Sequence, residues 1–143
     1  MSTAIVYWSG TGNTQAMAEA IAKGIESVGE SVDVFEVSSV DANTIASYDC
    51  IAMGCPAMGG EQLEEEEMEP FVESIESLLE GKRLLLFGSY GWGDGEWMRD
   101  WVERMNNAGA KLSKEDGLIA NESPSEEDIE ACMLAGRELV QKN

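Results

Sequence analysis

Short apolar runs alternate along the chain with longer segments in which apolar residues recur at helical spacing. Short runs bounded by turn residues are typical of strands that are buried on both faces of a sheet. Five runs predict strands, at residues 4–8, 32–37, 51–53, 84–87 and 118–120. Lys111 and Leu112 add a first piece to the last strand, before an interruption.

Four segments have the spacing that places apolar side chains on one face of a helix. The inner-face residues are Met17, Ile21, Ile25 and Val28 in the first segment; Met68, Phe71, Val72, Ile75, Leu78 and Leu79 in the second; Trp97, Trp101 and Met105 in the third; and Ile129, Cys132, Met133, Gly136 and Val140 in the fourth. Gly29 and Gly81 end the first two helices. Ser125 and Asp128 form a capping-box pattern that opens the last helix.

The predicted elements follow the order β-α-β-β-α-β-α-β-α, and we expect a short helix in the weakly marked connection over residues 38–48. Apolar strands separated by amphipathic helices predict an α/β fold, a doubly wound parallel sheet of five strands with both faces covered. A chain of 143 residues without a repeat or linker predicts one domain over residues 1–143. In such sheets ligands bind beyond the carboxyl ends of the strands. The loops after the first, third and fourth strands are therefore candidate binding loops.

The first loop, residues 9–14, reads Ser-Gly-Thr-Gly-Asn-Thr and leads directly into a helix. Its glycines let the backbone curl closely around a ligand, and its hydroxyls, its amide and the helix N-terminal N–H groups can bind an anion. A P-loop would need Gly-Lys-Ser/Thr here, but no Lys or Arg occurs between Met1 and Ala22. The loop therefore predicts a site for one terminal phosphate, and the alternative is a polar turn that caps a helix.

The second loop, residues 56–63, and the third loop, residues 89–97, follow the third and fourth strands. The third loop carries Trp92 between two glycines, where the side chain has little core to enter. This placement favours a stacking surface for a planar ring. Trp97 and Trp101 are predicted to pack a helix on the sheet, and Trp8 ends a strand.

Charge and cysteine content narrow the classes of function. The net charge is −19, with 28 acidic and 9 basic residues and no histidine. This charge repels nucleic acid and anionic membranes and attracts basic protein partners. The absence of histidine removes the usual acid/base group and the commonest metal ligand. Three cysteines without a Cys-x-x-Cys pair predict small core residues in a reducing cytosol, and we expect neither a signal peptide nor a membrane-spanning helix.

The three loops together resemble the flavodoxins, specifically the short-chain clostridial type, and the similarity runs through essentially the whole chain. The resemblance implies sheet order 2-1-3-4-5 with flavin mononucleotide (FMN) at the switch point. It implies an FMN site formed by Ser9, Gly10, Thr11, Gly12, Asn13, Thr14, Pro56, Ala57, Met58, Gly59, Gly60, Glu61, Ser89, Tyr90, Gly91, Trp92 and Gly93. Residues 9–14 would bind the phosphate, Met58 and Trp92 would cover the two ring faces, and Glu61 would bind the N3 side.

The family also implies a turn at residues 58–61 in which the Gly59 carbonyl moves to accept a hydrogen bond from flavin N5 on one-electron reduction. Glycine at both central positions makes type II and type II′ turns accessible. We therefore expect Gly60 to ease the movement while holding neither orientation firmly. The function expected is a monomeric, cytoplasmic, low-potential one-electron carrier that cycles mainly between semiquinone and hydroquinone, and not an enzyme.

Other classes of protein remain as alternatives to this prediction. A flavodoxin-like FMN-dependent quinone reductase is the nearest, although such enzymes are usually longer. A response-regulator receiver needs acidic residues after the first strand, where this chain has Trp8 and Ser9. A low-molecular-weight tyrosine phosphatase needs Cys and Arg in the phosphate loop, and residues 9–14 have neither. A binding module without cofactor would leave Trp92 and the first loop unexplained.

An acidic run at residues 64–67, continued by Glu69, is the strongest local charge feature. Acidic residues near a helix N-terminus suit the helix dipole, so a solvated helix start is one interpretation. The nearby second loop supports another interpretation, a patch that docks a basic redox partner.

Overall fold

A computed structural model describes residues 2–141, so Met1, Lys142 and Asn143 lie outside the described part of the predicted domain. Its strands are β1 (Thr3–Tyr7), β2 (Asp33–Glu36), β3 (Cys50–Gly54), β4 (Arg83–Tyr90), β5 (Lys111–Leu112) and β6 (Leu118–Asn121). Its helices are α1 (Asn13–Ser27), α2 (Ala42–Ala46), α3 (Met68–Ile75), α4 (Glu96–Asn107) and α5 (Glu126–Leu139). The short helix expected between residues 38 and 48 is confirmed as α2.

The strands form a parallel sheet in the order β2-β1-β3-β4, with β5 and β6 both paired to β4 at the fifth position. Leu112 of β5 pairs with Leu84, and Leu118 of β6 pairs with Phe87. The predicted order 2-1-3-4-5 is therefore confirmed, and so is the interruption of the last strand.

Helices cover both faces of this sheet because alternate strand residues point to opposite sides. On one face, Val6, Met53 and Leu86 pack in the same cluster as Trp97 and Trp101, and both indoles are 1% exposed. The other face, with α1 and α5, is formed by Ile5, Met17, Ile21, Ala52, Leu85, Phe87 and Cys132. The packing roles predicted for Trp97, Trp101 and the cysteines are thus confirmed.

Helices α1 and α5 approach closely enough to require glycine at the contact. A Cβ at Gly136 of α5 would lie 2.3 Å from the backbone oxygen of Ile21 in α1. The capping box that opens α5 is confirmed, since Asp128 N donates to Ser125 Oγ (3.1 Å) and Ser125 N donates to Asp128 Oδ2 (2.9 Å). Within residues 2–141, none of the helices has both the length and the apolar character needed to cross a membrane.

Three predictions about apolar residues are wrong in detail. Val28 caps the end of α1 and is 51% exposed, because the helix stops before this residue turns inward. Val37 is buried, but it lies in a 3-10 turn (Val37–Ser39) that follows β2. Leu78 is exposed because the chain tightens into a 3-10 turn (Glu76–Leu78) after α3.

Candidate functional site

The three candidate loops meet at the carboxyl edge of the sheet and enclose a cleft of about 280 Å³. The cleft is lined by Trp8, Gly10, Thr11, Asn13, Pro56, Ala57, Met58, Ser89, Tyr90, Gly91 and Glu122. Nine of the predicted site residues are in this lining. Those that are not are Ser9, Gly12, Thr14, Gly59, Gly60, Glu61, Trp92 and Gly93.

The first loop is organised by its own hydroxyl groups around the start of α1. Gly12, with φ of +95°, is the N-cap and has no side chain to bond the helix N–H groups. Ser9 Oγ takes that role by accepting hydrogen bonds from Gly12 N (3.1 Å) and Gln15 N (3.3 Å). Because the Ser9 oxygen accepts these bonds, its O–H remains able to donate to a ligand.

Thr14 lies beneath the first loop, away from the cleft surface. Its hydroxyl is buried and lies 3.0 Å from Ser89 Oγ, and Ser89 N donates to Thr14 Oγ1 at 3.3 Å. This pair of contacts joins the first loop to the end of β4. The geometry gives Thr14 a bracing role, and a direct contact with phosphate stays a prediction.

The second loop contains the predicted turn, in which Gly60 and Glu61 have positive φ (+77° and +51°) and Gly59 does not. The absence of a positive φ at Gly59 excludes the type II′ form. Met58 N donates to Gln62 O at 2.9 Å and closes the turn. Trp97 Nε1 donates to Cys55 O (3.1 Å), which fixes the base of the loop to α4.

The second and third loops interlock through Glu61 and Gly93. A Cβ at Gly93 would lie 2.7 Å from Cδ of Glu61, so the carboxylate occupies the space that a side chain would fill. Glu61 itself has φ of +51°, which is uncommon for a residue other than glycine. Its Oε1 is buried and has no hydrogen-bond partner. Trp92, next to Gly93, is 66% exposed.

Sequence reasoning missed two charged residues that belong to this region. Glu122 lines the cleft with φ of +55°, and its N–H donates to Tyr90 O at 2.7 Å. Arg99 of α4 reaches back to the third loop, where its guanidinium bonds Asp94 Oδ1 and Asp94 O, each at 3.0 Å. The loop after β6 lies at the same sheet edge as the other loops, and that position is the signal that would have identified Glu122.

Two ionisable groups near the cleft have shifted pKa values with clear physical causes. Arg99 lowers the pKa of Asp94 through its hydrogen bond and its charge. Burial raises the pKa of Cys55 to about 12, so this thiol stays protonated at neutral pH. The chain has no histidine, and residues 2–141 contain no cluster of three or more side chains suited to hold a metal ion.

The acidic run divides into side chains with different partners. Glu64 is 6% exposed, and its carboxylate accepts hydrogen bonds from the N–H groups of Glu66 (2.9 Å), Glu67 (2.8 Å) and Met68 (2.9 Å). Burial acts to raise the pKa of Glu64, but these three donors lower it below its ordinary value. A wholly solvated helix start is therefore wrong for Glu64.

Two further members of the run also have partners. Arg104 forms a bidentate ion pair with Glu69 (2.8 and 2.6 Å) and a second ion pair with Glu76. Trp8 Nε1 donates to Glu67 Oε1 at 3.2 Å, which joins the wall of the cleft to the run. Glu65 and Glu66 remain exposed.

A helix N-terminus with hydroxyl groups, a loop with a methionine and a glycine-rich loop with an exposed tryptophan meet at the carboxyl edge of the sheet, an arrangement typical of mononucleotide-binding α/β proteins. Comparison with known proteins agrees with this class. The flavodoxin family model matches residues 5–136. A flavodoxin from Clostridium beijerinckii is 49% identical over 136 residues, covering 95% of this chain and 97% of its own.

A flavodoxin from Megasphaera elsdenii is 46% identical over 120 residues, covering 84% of this chain and 86% of its own. The solution structure of two-electron reduced Megasphaera elsdenii flavodoxin has a TM-score of 0.85 at 41% identity and covers 96% of this chain and 97% of that chain. The chain belongs to the flavodoxin family and is a small FMN-binding electron carrier rather than an enzyme. The quinone reductase alternative is not favoured, since these relatives match over most of their length.

Proposed function

We propose that the 143-residue chain is a single-domain, low-potential one-electron carrier that cycles mainly between the one-electron and two-electron reduced states of FMN. The observation that carries this proposal is the meeting of three loops at one cleft, in a chain whose net charge is −19. FMN, when bound, supplies the redox chemistry, and the chain binds, orients and shields it.

The binding roles proposed for the chain follow the position of each loop. Residues 9–14 hold the FMN phosphate, and Met58 and Trp92 cover opposite faces of the flavin ring. Glu61 accepts a hydrogen bond from the N3–H of that ring, and backbone groups at residues 89–91 bind its pyrimidine edge. The residues fit this ligand. A Cβ at Gly59, Gly60 or Gly91 would meet no heavy atom within 4 Å, so the protein leaves open space there for a ring.

The low potential is argued from the charges beside the ring. Glu122 lines the cleft and Glu61 lies against the third loop, while the guanidinium of Arg99 forms its hydrogen bonds with Asp94. A unit negative charge about 12 Å away, at an effective dielectric constant of about 20, disfavours added negative charge by about 1.4 kcal/mol before screening. For a one-electron couple this corresponds to about 59 mV. A few such charges give the second one-electron couple of FMN a low reduction potential.

The purified protein tests this function directly. We expect a yellow protein with two visible absorption bands, from which FMN is released on denaturation. A spectroscopic redox titration is expected to show two separate one-electron couples, the second at low potential. A colourless protein that does not take up FMN, or reduction in one two-electron step, would contradict the proposal.

We propose that the carrier is a cytoplasmic monomer that serves basic redox partners. The cysteines are buried as thiols, which suits a reducing compartment. A net charge of −19 keeps copies of the chain apart and attracts positively charged surfaces.

The exposed part of the acidic run is the proposed docking surface. Replacing Glu65 and Glu66 with glutamine is expected to weaken the salt dependence of electron transfer to a basic cytochrome c, because both side chains are exposed near the second loop. Stopped-flow rates over a range of ionic strength measure the effect. The matched control replaces Glu26 and Glu80, exposed at the opposite edge of the sheet. Equal changes in both double variants would contradict a local docking surface.

Gly60 is expected to control the ease with which the turn reorients. Aspartate at its φ of +77° is disfavoured by about 1 kcal/mol, so Gly60→Asp changes the balance between turn types and shifts the one-electron potentials by about 40 mV. Spectroscopic titration of both couples measures the shift. Gly60→Ala, which adds no charge, separates backbone strain from electrostatics. If the potentials of both one-electron couples are unchanged in Gly60→Asp, this residue does not influence the turn.

A further inference from the structure

A second, smaller cavity of about 140 Å³ lies between the second loop and α4. Glu61, Trp101 and Arg104 are among the residues that line it, with Asp100 and Glu69 beside them. It shares no lining residue with the cofactor cleft, and Glu61 lines this cavity but not the cleft.

Two buried polar atoms that have no hydrogen-bond partner belong to residues of this cavity. One is Nε1 of Trp101, an indole that is 1% exposed, and the other is Oε1 of Glu61. A buried tryptophan N–H normally finds an acceptor. The neighbouring indole of Trp97 follows that rule, with its N–H donating to Cys55 O at 3.1 Å.

The chemistry of the two atoms suits a bridging water molecule. An indole nitrogen only donates and an ionised carboxylate only accepts, and a water molecule can accept from the first while donating to the second. The cavity exceeds the roughly 30 Å³ that a water molecule occupies in the liquid. The acidic groups of Glu61, Glu69 and Asp100 disfavour an anion there, and the guanidinium of Arg104 disfavours a further cation.

We propose that Trp101 is a positioning residue for FMN, and that its Nε1–H holds the Glu61 carboxylate in place through an ordered water in this cavity. The carboxylate is thereby kept against Gly93, with acceptor capacity left for the ring. This role rests on the proposed function of Glu61 in binding FMN.

The backbone at this point explains why such an anchor is needed. Glu61 directly follows Gly59 and Gly60, the two residues of the turn that reorients, and its own φ is +51°. Gly93, against which the carboxylate lies, has no side chain to hold it. A hydrogen bond from α4 keeps the carboxylate fixed while the turn preceding it moves.

The first test is a double-mutant cycle read as FMN affinity. Trp101→Phe keeps an aromatic ring and removes the donor, and we expect it to raise the FMN dissociation constant about fivefold or more. In the Glu61→Ala background the same change is expected to have less than a twofold effect, because the acceptor is already absent. An equal loss in both backgrounds would assign Trp101 a packing role and overturn the proposal.

The second test does not depend on the folding of the Trp101 variant. In the ¹H–¹⁵N spectrum of the FMN-bound wild-type protein, we expect the Trp101 indole resonance to show a cross-peak to a long-lived water and to shift in Glu61→Gln. A Trp101 indole that lacks both signals would overturn the bridge.

The two proposals fail in different ways. If the wild-type chain does not bind FMN, the proposed function falls and this role falls with it. If the chain binds FMN and Trp101→Phe binds equally well, only the positioning role is overturned.

Discussion

Replacing Glu64 with alanine is expected to lower the free energy of unfolding by about 4 kcal/mol, because three backbone N–H groups lose a charged acceptor. The side chain is 6% exposed, so water does not readily replace the lost hydrogen bonds. Denaturant unfolding at neutral pH measures the change. The matched control is Glu65→Ala, at an exposed neighbour, which is expected to change stability by no more than about 0.5 kcal/mol. Similar losses in both variants would contradict the capping role.

The contribution of Glu64 also has a defined pH dependence. Its pKa is lowered in the folded protein, so the unfolded state binds its proton more tightly. The stabilisation is therefore present above the unfolded pKa of about 4.3 and is lost as the pH falls through the lower, folded value. Unfolding measured between neutral and acidic pH is expected to show a weaker acid dependence for Glu64→Gln than for the wild type. An unchanged acid dependence would mean that Glu64 is not ionised in its cap.

Replacing Gly93 with alanine is expected to weaken FMN binding at least about tenfold, the loss anticipated for one hydrogen bond to a charged group. The new Cβ would lie 2.7 Å from Cδ of Glu61 and 2.8 Å from its Oε1. These atoms end a flexible side chain, so Glu61 moves away while the fold is kept. Fluorescence titration of the apoprotein with FMN measures the affinity.

Gly95→Ala is the matched control for this substitution. Gly95 has φ of +93° and Gly93 has φ of +86°, so alanine meets similar backbone strain at both positions. At Gly95, however, the nearest atoms to a new Cβ are Cδ1 of Ile119 at 3.4 Å and Nη1 of Arg99 at 3.8 Å, which are ordinary contacts. Equal losses of FMN affinity in the two variants would show that strain, and not Glu61, is responsible.

Sequence patterns were most reliable where the information is local. The capping box of Ser125 and Asp128 and the helical spacing of Trp97 and Trp101 depend on residues only three or four positions apart, and both predictions are confirmed. Errors occurred at element ends, as at Val28 and Leu78, where a single turn decides whether a side chain faces the core.

The acidic run shows a different reason for error. Glu64, Glu65, Glu66, Glu67 and Glu69 are alike in the sequence, yet they differ in burial and partners. Glu64 caps backbone N–H groups of its own segment, whereas Glu69 pairs with Arg104, 35 residues away. No periodicity in the run encodes that second contact.

By itself the sequence determined the class of fold, the parallel sheet and the edge at which the loops meet. Apolar strands alternating with amphipathic helices favour a parallel sheet with both faces buried, and parallel strands place their following loops together. Only the tertiary structure decided how those loops touch. The contacts between Thr14 and Ser89, the insertion of Glu61 beneath Gly93 and the return of Arg99 to Asp94 depend on side-chain packing, and the first two join segments far apart in the chain.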